Sequence, residues 1–285
     1  MIDRYLLRYF LAVLDCGSFS RAAAQVNVAQ PTLSVGIAKL ERLLGAKLFE
    51  RTSQRVHLTE AGTRFAAHAR RIESEFNLAE AAMLGVEPAR VLRLGVLATI
   101  PSVALATLAE ASGDDRLELV EGTERSLLQR LARGRIDVAL TLVRGDADRF
   151  AQEPLWSEGY RLALPAGHRL AGEDSIAAEA LAGEAMIVRR HCEALAETSR
   201  HFIERGVRPF LAFKTTNDDR ALELVRAGLG VTVMPEAHAL AGVARPQLAG
   251  FAARRTIGLV WAAHAEPLRH AGGGVIEALR TSNSA

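Results

Sequence analysis

Two cysteines in 285 residues leave no basis for a disulfide framework, and neither belongs to a Cys-x-x-Cys pair of the zinc-binding or redox kind. Cys16 and Cys192 read as ordinary thiols of a reducing cytoplasm. Long apolar runs are missing too. The longest uncharged stretch, Leu94 to Ala109, is interrupted by Gly95 and Pro101 and is too short to span a bilayer, so no membrane partner is expected. The opening "MIDRYLLRYF" has no small-residue cleavage site, so no secretory leader is expected. There is no Gly-x-Ser-x-Gly, P-loop, His-Glu-x-x-His or dinucleotide fingerprint, and the eight histidines show no paired metal spacing. The chain is therefore read as neither an enzyme nor a metal or cofactor carrier. The "GLG" of 228–230 is a helix-ending glycine pair rather than a phosphate cradle.

Net charge is only +2, but it is unevenly placed. Residues 1–60 hold eight basic residues against five acids, an excess of three, which leaves the remainder at −1. A positive head on a near-neutral body permits nucleic-acid binding without establishing it.

The head is helical. Leu6, Phe10 and Val13 share one face of a first helix. Ser18 or Ser20 can cap a second through "RAAAQV", Asn27 and Val28 make a turn, and a third helix opens near Pro31. Small Ala23 permits the close crossing of a helix-turn-helix. "FERTSQRVHL" then reads as a hairpin, or wing. With residues placed at about 100° intervals, Leu33, Ile37, Leu40 and Leu44 face inward. Pro31, Thr32, Val35, Ala38, Lys39 and Arg42 then lie outward, with Ser34 at the edge. Short side chains at the N-terminal end and cations further along suit a major groove, and Arg51 and Arg55 on the wing can reach flanking phosphates or the minor groove. A solvated amphipathic helix followed by an ordinary hairpin is the plainer alternative.

Against that alternative stands a run of fixed offsets. Ala22–Ala23, Gln30–Pro31, Leu33–Ser34, Leu40–Glu41, Leu44–Gly45, Leu48–Phe49, Arg51, Leu58–Thr59 and Ala61–Gly62 together resemble the winged helix-turn-helix of LysR-type transcriptional regulators. The resemblance implies double-stranded DNA as partner, with Ser20, Gln30, Pro31, Thr32, Ser34, Val35, Lys39, Arg51 and Arg55 as DNA-binding residues. Two departures from the family pattern matter. Ala29 replaces a capping serine, a loss of about 1 kcal/mol. Val35 and Gly36 replace longer polar side chains, and Gly36 costs about 1 kcal/mol within a helix relative to alanine.

Residues 59–84 form a linker helix whose apolar positions Phe65, Ala69, Ile72, Phe76, Ala79 and Met83 alternate four and three apart, a coiled-coil seam that predicts dimerisation. The resemblance implies the same, with dimers pairing into tetramers. Residues 85–90 read as a hinge. From Val91 short apolar strands alternate with helical stretches near 102–111, 124–133, 193–205, 217–228 and 266–280, predicting parallel α/β sheets. "LRLGV", "LLQRLARGRIDVAL" and "ALELVRAGLGVTVMP" resemble the family's effector domain, itself similar to periplasmic solute-binding proteins.

The expected organisation is thus a winged helix-turn-helix over 1–58, a linker helix over 59–84, a hinge over 85–90 and an α/β effector domain over 91–285. Subdomain I would take 91–160 and 265–285, and subdomain II 161–264, with crossovers near Glu158–Arg161 and Ala263–Pro267. A ligand cleft between the subdomains would be lined by strand ends and helix starts: Thr99, Ile100, Ser102, Thr141, Arg189, Arg190, Asn217 and Thr232. An inward Arg189 or Arg190 implies a carboxylate effector; otherwise both are surface arginines, and His191 is a surface or structural residue. An oxidised-cysteine switch, as in the family's peroxide-sensing members, normally needs a resolving thiol near Cys192, and the sequence has none there. A solute-binding protein would use the same lobes, but the helix-turn-helix and the lack of a leader count against it. A metabolic α/β enzyme would need a catalytic constellation.

Overall fold

The computed structural model describes residues 1–51, 56–84, 91–113, 116–145, 149–271 and 274–281. The expected hinge over 85–90 and Arg55 lie outside these residues.

The head is built from α1 (Arg4–Cys16), α2 (Phe19–Gln25) and α3 (Gln30–Leu44), followed by the antiparallel pair β1 (Phe49–Arg51) and β2 (Val56–Leu58). Its core is the inward set read from the sequence, with Leu6, Phe10, Leu33, Ile37 and Leu40 essentially inaccessible. Phe10 stacks between Phe49 and Phe65 at centroid distances of 5.1 and 5.0 Å, so the wing and the next helix both close on α1. Asn27 makes the α2–α3 turn at φ 54°, a left-handed conformation that asparagine tolerates. Neither Ser18 nor Ala29 caps its helix through a side chain, and Ser20 lies inside α2.

Gly36 has a packing reason. A Cβ there would stand 2.6 Å from Cδ2 of Tyr9, so the position is on the buried side of α3 and its small size seats Tyr9. Gly62 is similar: a Cβ would meet the Leu48 carbonyl oxygen at 2.1 Å. That close approach lets α4 (Glu60–Leu84) begin directly under the wing. Thr59 caps it, accepting from Gly62 N at 2.9 Å while donating to the Lys47 carbonyl at 2.6 Å.

The seam of α4 divides. Phe65 packs against Phe10 and Ala69 is buried, both within the same chain, which corrects their assignment to a partner-facing seam. Ile72, Phe76, Ala79 and Met83 stay exposed, Met83 by 87%. Arg70, buried on the same helix, donates to the Asp15 carboxylate of the head and to the Gly134 carbonyl of the following domain.

That domain runs β3 (Val91–Leu97), α5 (Ser102–Glu110), β4 (Arg116–Gly122), α6 (Glu124–Ala132), β5 (Val138–Leu142) and the long β6 (Ala151–Pro165). Next come β7 (Ser175–Ile176), a 3-10 turn over Ala178–Leu181, β8 (Ala185–Arg189), α7 (Leu195–Glu204), β9 (Phe210–Thr215), α8 (Asp218–Arg226) and β10 (Thr232–Pro235). It ends with β11 (Val243–Ala244), β12 (Gln247–Leu248), β13 (Arg254–Trp261), a turn over Ala263–Ala265, α9 (Glu266–Ala271) and α10 (Gly274–Thr281).

Two lobes share β6. Its first part pairs with β13, which in turn pairs with β5, giving the lobe I order β4-β3-β5-β13-β6. Its second part pairs with β10, β11 and β12 in lobe II, where β8 and β9 also lie parallel. The sheets are mixed rather than parallel, because β6 and β13 are crossing strands that run antiparallel to their neighbours. The return crossing is therefore at Arg254, opposite Gly159, and not near Ala263–Pro267; 254–261 belongs to lobe I. Lobe I closes around Leu94, Leu127, Ile136 and Trp261, and lobe II around Leu162, Leu164, Phe202 and Val233.

Candidate nucleic-acid interface and effector cleft

On the head, Gln30, Pro31, Thr32 and Val35 are exposed along the outer side of α3, and Ser34 is half-buried at its edge. Gln30 Nε2 donates to Ser34 Oγ at 2.9 Å, one turn along, which pre-orients both groups on the same face. Ser20 is exposed on α2. Lys39 is already engaged. Its Nζ donates to Tyr5 Oη at 2.9 Å and pairs with Asp3 at 3.3 Å, and the Tyr5 hydrogen bond and then Asp3 hold its pKa above the ordinary lysine value. Lys39 thus ties α3 to the N-terminal segment from a half-exposed position. Glu41 is a contact that sequence reading missed. It accepts from Leu48 N at 2.9 Å and from Lys47 Nζ at 2.7 Å, fixing the wing to the end of α3. Arg51 is placed on β1 opposite Val56.

In the effector domain Thr99 and Ser102 of the expected cleft set lie at the lobe boundary, where side chains of the chain itself meet them. Arg255, at the start of β13, is 4% exposed. Its guanidinium donates to Thr99 Oγ1 at 2.8 Å and to the Thr99 carbonyl at 3.1 Å in lobe I. It also donates to Glu158 Oε1 at 3.0 and 2.8 Å on the crossing strand, and to Glu193 in lobe II. Tyr160 donates to the same Glu193 oxygen at 2.8 Å. Burial would raise the Glu193 carboxyl, but Arg255, a backbone hydrogen bond and the Tyr160 hydroxyl together hold the pKa below the usual range; burial and then Glu193 raise the Tyr160 phenol. A second bridge joins Ser102 of lobe I to Asp219 of lobe II.

Arg189 does point inward, yet it is spoken for. Its guanidinium is fully buried, donates to Asp218 Oδ1 at 2.7 Å and to the Val233 carbonyl at 3.0 Å, and forms a second bond to Asp218. The carboxylate expected of an effector is supplied by Asp218, which corrects the expectation of a free cation there. Arg190 is exposed. Asn217 accepts from Arg220 N at 2.7 Å as the α8 cap and is exposed, and Thr232 donates to the Ile187 carbonyl at 2.7 Å while lining a cavity with Arg189 and Cys192. Thr141 is fully buried with no hydrogen-bond partner among the described residues, and Ile100 is core. Arg255, Glu158, Glu193, Tyr160 and Asp218 escaped sequence reading; a paired Arg-Arg opening an apolar strand, "RRTIGLVW", was the available signal.

Behind this network His238 is 1% exposed, and neither ring nitrogen has a hydrogen-bond partner among the described residues. Burial, with Arg189, Arg255 and Arg245 nearby, lowers its pKa from 6.5 to about 2. The unfolded imidazole takes a proton near 6.5 and the folded one does not, so each pH unit below that favours unfolding by about 1.4 kcal/mol. Stability should therefore fall between pH 7 and pH 5, and His238→Phe should flatten the decline in urea unfolding. An unchanged slope in the variant would place the acid sensitivity elsewhere.

Among the described residues no cluster of histidine, cysteine or acidic side chains is arranged to hold a metal, and no helix is long and apolar enough to cross a membrane. Residues 5–63 match the family model of bacterial regulatory helix-turn-helix proteins of the lysR family, and residues 85–281 match the LysR substrate binding domain. The chain is 34% identical over 268 residues to a Mycobacterium avium protein described as "Probable hydrogen peroxide-inducible genes activator", covering 90% of this chain and 86% of that one. It is 30% identical over 289 residues to the Escherichia coli K12 DNA-binding transcriptional dual regulator OxyR, covering 96% and 93%. A full-length OxyR variant from Pseudomonas aeruginosa has the same fold, with a TM-score of 0.71 at 23% identity over 99% of this chain and 95% of that one. The chain belongs to the LysR family of transcriptional regulators, proteins that bind DNA through the helix-turn-helix and answer to an effector domain.

Proposed function

We propose that this regulator acts in the cytoplasm as a dimer, or as a tetramer of paired dimers, and answers to a peroxide through Cys192. The observation that carries the reading is the position of that thiol. Cys192 Sγ lies 3.5 Å from Arg189 Nη1, and the next residue, Glu193, is bonded to Arg255 at the lobe boundary. Oxygen added to this sulfur is a new acceptor beside Arg189, competing with Asp218, and it is one residue from the bridge between lobes. The relatives' names point to the same chemistry.

The sequence holds one other thiol, Cys16, which is in the head and donates to Gln25. The oxidised product is accordingly a sulfenic acid rather than a disulfide within the effector domain. Thiol and peroxide give sulfenic acid and water, the O–O bond breaking as the S–O bond forms. Burial pushes the Cys192 thiol above its ordinary pKa and Arg189 pulls it back only in part. The thiolate is the nucleophile, so oxidation should accelerate as pH rises on the alkaline side of neutrality. Treating the full chain with hydrogen peroxide should add one dimedone-trappable oxygen at Cys192 and change its footprint on operator DNA, and Cys192→Ser should abolish both. A footprint that responds equally in Cys192→Ser would reject the thiol as sensor.

For the head we propose that Gln30, Thr32, Ser34 and Val35 read base edges while Ser20, Pro31, Arg51 and Arg55 lie against the backbone and flanking groove. Arg51→Ala should weaken binding to all duplexes alike and reduce the salt slope by about 1, whereas Gln30→Ala should lose about 1–3 kcal/mol of preference for the operator. Fluorescence anisotropy on operator and scrambled duplex at two salt concentrations separates the two. Equal losses on both duplexes for Gln30→Ala would remove it from the base-reading set.

A further inference from the structure

Cys192 lines a cavity of about 260 Å³ that opens between β8, α7 and the start of β9. Most of the surrounding walls are hydrocarbon, among them Ile187, Leu195, Phe202, Val207 and Leu211, with Thr198, Ser199 and Thr232 supplying hydroxyls. Hydrogen peroxide needs little more room than water, whose share of the liquid is about 30 Å³, and apolar walls offer it nothing that water lacks. Arg189, the buried cation at the cavity, is neutralised by Asp218, and Arg208 lies exposed at the rim, so the enclosed part beside Cys192 is suited to an uncharged group.

Resting on the peroxide reading above, we infer that the oxidant is an organic hydroperoxide whose hydrocarbon part occupies this cavity while its terminal oxygen meets Cys192 Sγ. The sulfur attacks that terminal oxygen, the S–O bond forms and the O–O bond breaks. The departing alkoxide takes up the proton lost by the thiol. Sulfur is oxidised by two electrons, the hydroperoxide is reduced by two, and the products are the sulfenic acid and an alcohol. The cavity walls recognise the alkyl or aryl group, which raises the occupancy of the reactive pose without altering the chemical step.

The test uses the full chain carrying Cys16→Ser, so that Cys192 is the sole thiol. Rates of Cys192 oxidation by hydrogen peroxide, tert-butyl hydroperoxide and cumene hydroperoxide are followed by dimedone trapping and mass spectrometry, each divided by the rate with N-acetylcysteine. Cumene hydroperoxide should lead hydrogen peroxide by about tenfold or more on this scale, the range expected for added hydrocarbon in an apolar pocket. Ser199→Trp, filling the cavity from its exposed rim, and Leu211→Gln, making the mouth polar, should erase the lead while leaving the hydrogen peroxide rate unchanged. Equal normalised rates for the two oxidants, or variants that slow both alike, would overturn the assignment of substrate class and leave the peroxide reading standing. Failure of every oxidant to modify Cys192 would overturn both.

Discussion

Replacing Arg255 with methionine should lower the unfolding free energy of the effector domain by about 3–5 kcal/mol, the cost of leaving buried charges without their partner. The guanidinium is the common donor to Thr99, Glu158 and Glu193, groups that the chain separates by 156, 97 and 62 residues. Its removal strands two buried carboxylates and unlinks the lobes together. Urea unfolding followed by circular dichroism measures the loss. Adding Glu158→Gln and Glu193→Gln to the methionine variant should recover much of it, because neutral amides remove the uncompensated charge. Arg255→Lys keeps the charge but not the planar fork and should fall between. A loss below about 1 kcal/mol for Arg255→Met would show that the lobes are held by packing rather than by this network.

Phe76→Glu should leave a folded chain that no longer pairs, and operator affinity should fall by about 10²–10⁴-fold as two-headed binding becomes one-headed. Phe76 is 42% exposed on α4, in the outward run with Ile72, Ala79 and Met83. Arg4 already lies over its ring, 4.8 Å from the centroid, so a glutamate there gains an ion pair within its own chain and the fold is preserved. Sedimentation and anisotropy on the operator are the two readouts. An unchanged dimer by sedimentation would reject this stretch of α4 as the pairing surface.

The head was legible because its helices obey one short-range rule: Leu33, Ile37 and Leu40 recur at helical spacing and are the residues found inaccessible. Periodicity identifies an apolar face without saying what covers it. Phe65 and Ala69 continue the same stripe as Phe76, yet α1 covers them and not a partner. Gly36 reads from the sequence only as a departure that weakens α3, and the approach of Tyr9 explains it. Strand ends that precede helix starts direct attention to the lobe I loop and to Arg189, but not to Asp218, which occupies that guanidinium. Arg255 and Glu158 were not legible. Each stands in a strand that carries other charges, Arg254 and Arg161 among them, and its meaning depends on pairing across 97 residues, which no local pattern encodes. The return crossing was missed for a related reason: Arg254–Trp261 reads as a strand, but its register against β5 and β6 determines which lobe owns it.

Arg70 clamps the head, through Asp15, and lobe I, through the Gly134 carbonyl, to one point on the 25-residue α4. That point lies about 15 Å from the start of a helix roughly 37 Å long, so head and lobe I share one joint rather than the two ends of a rod, and a shift of either is felt by the other through a single guanidinium.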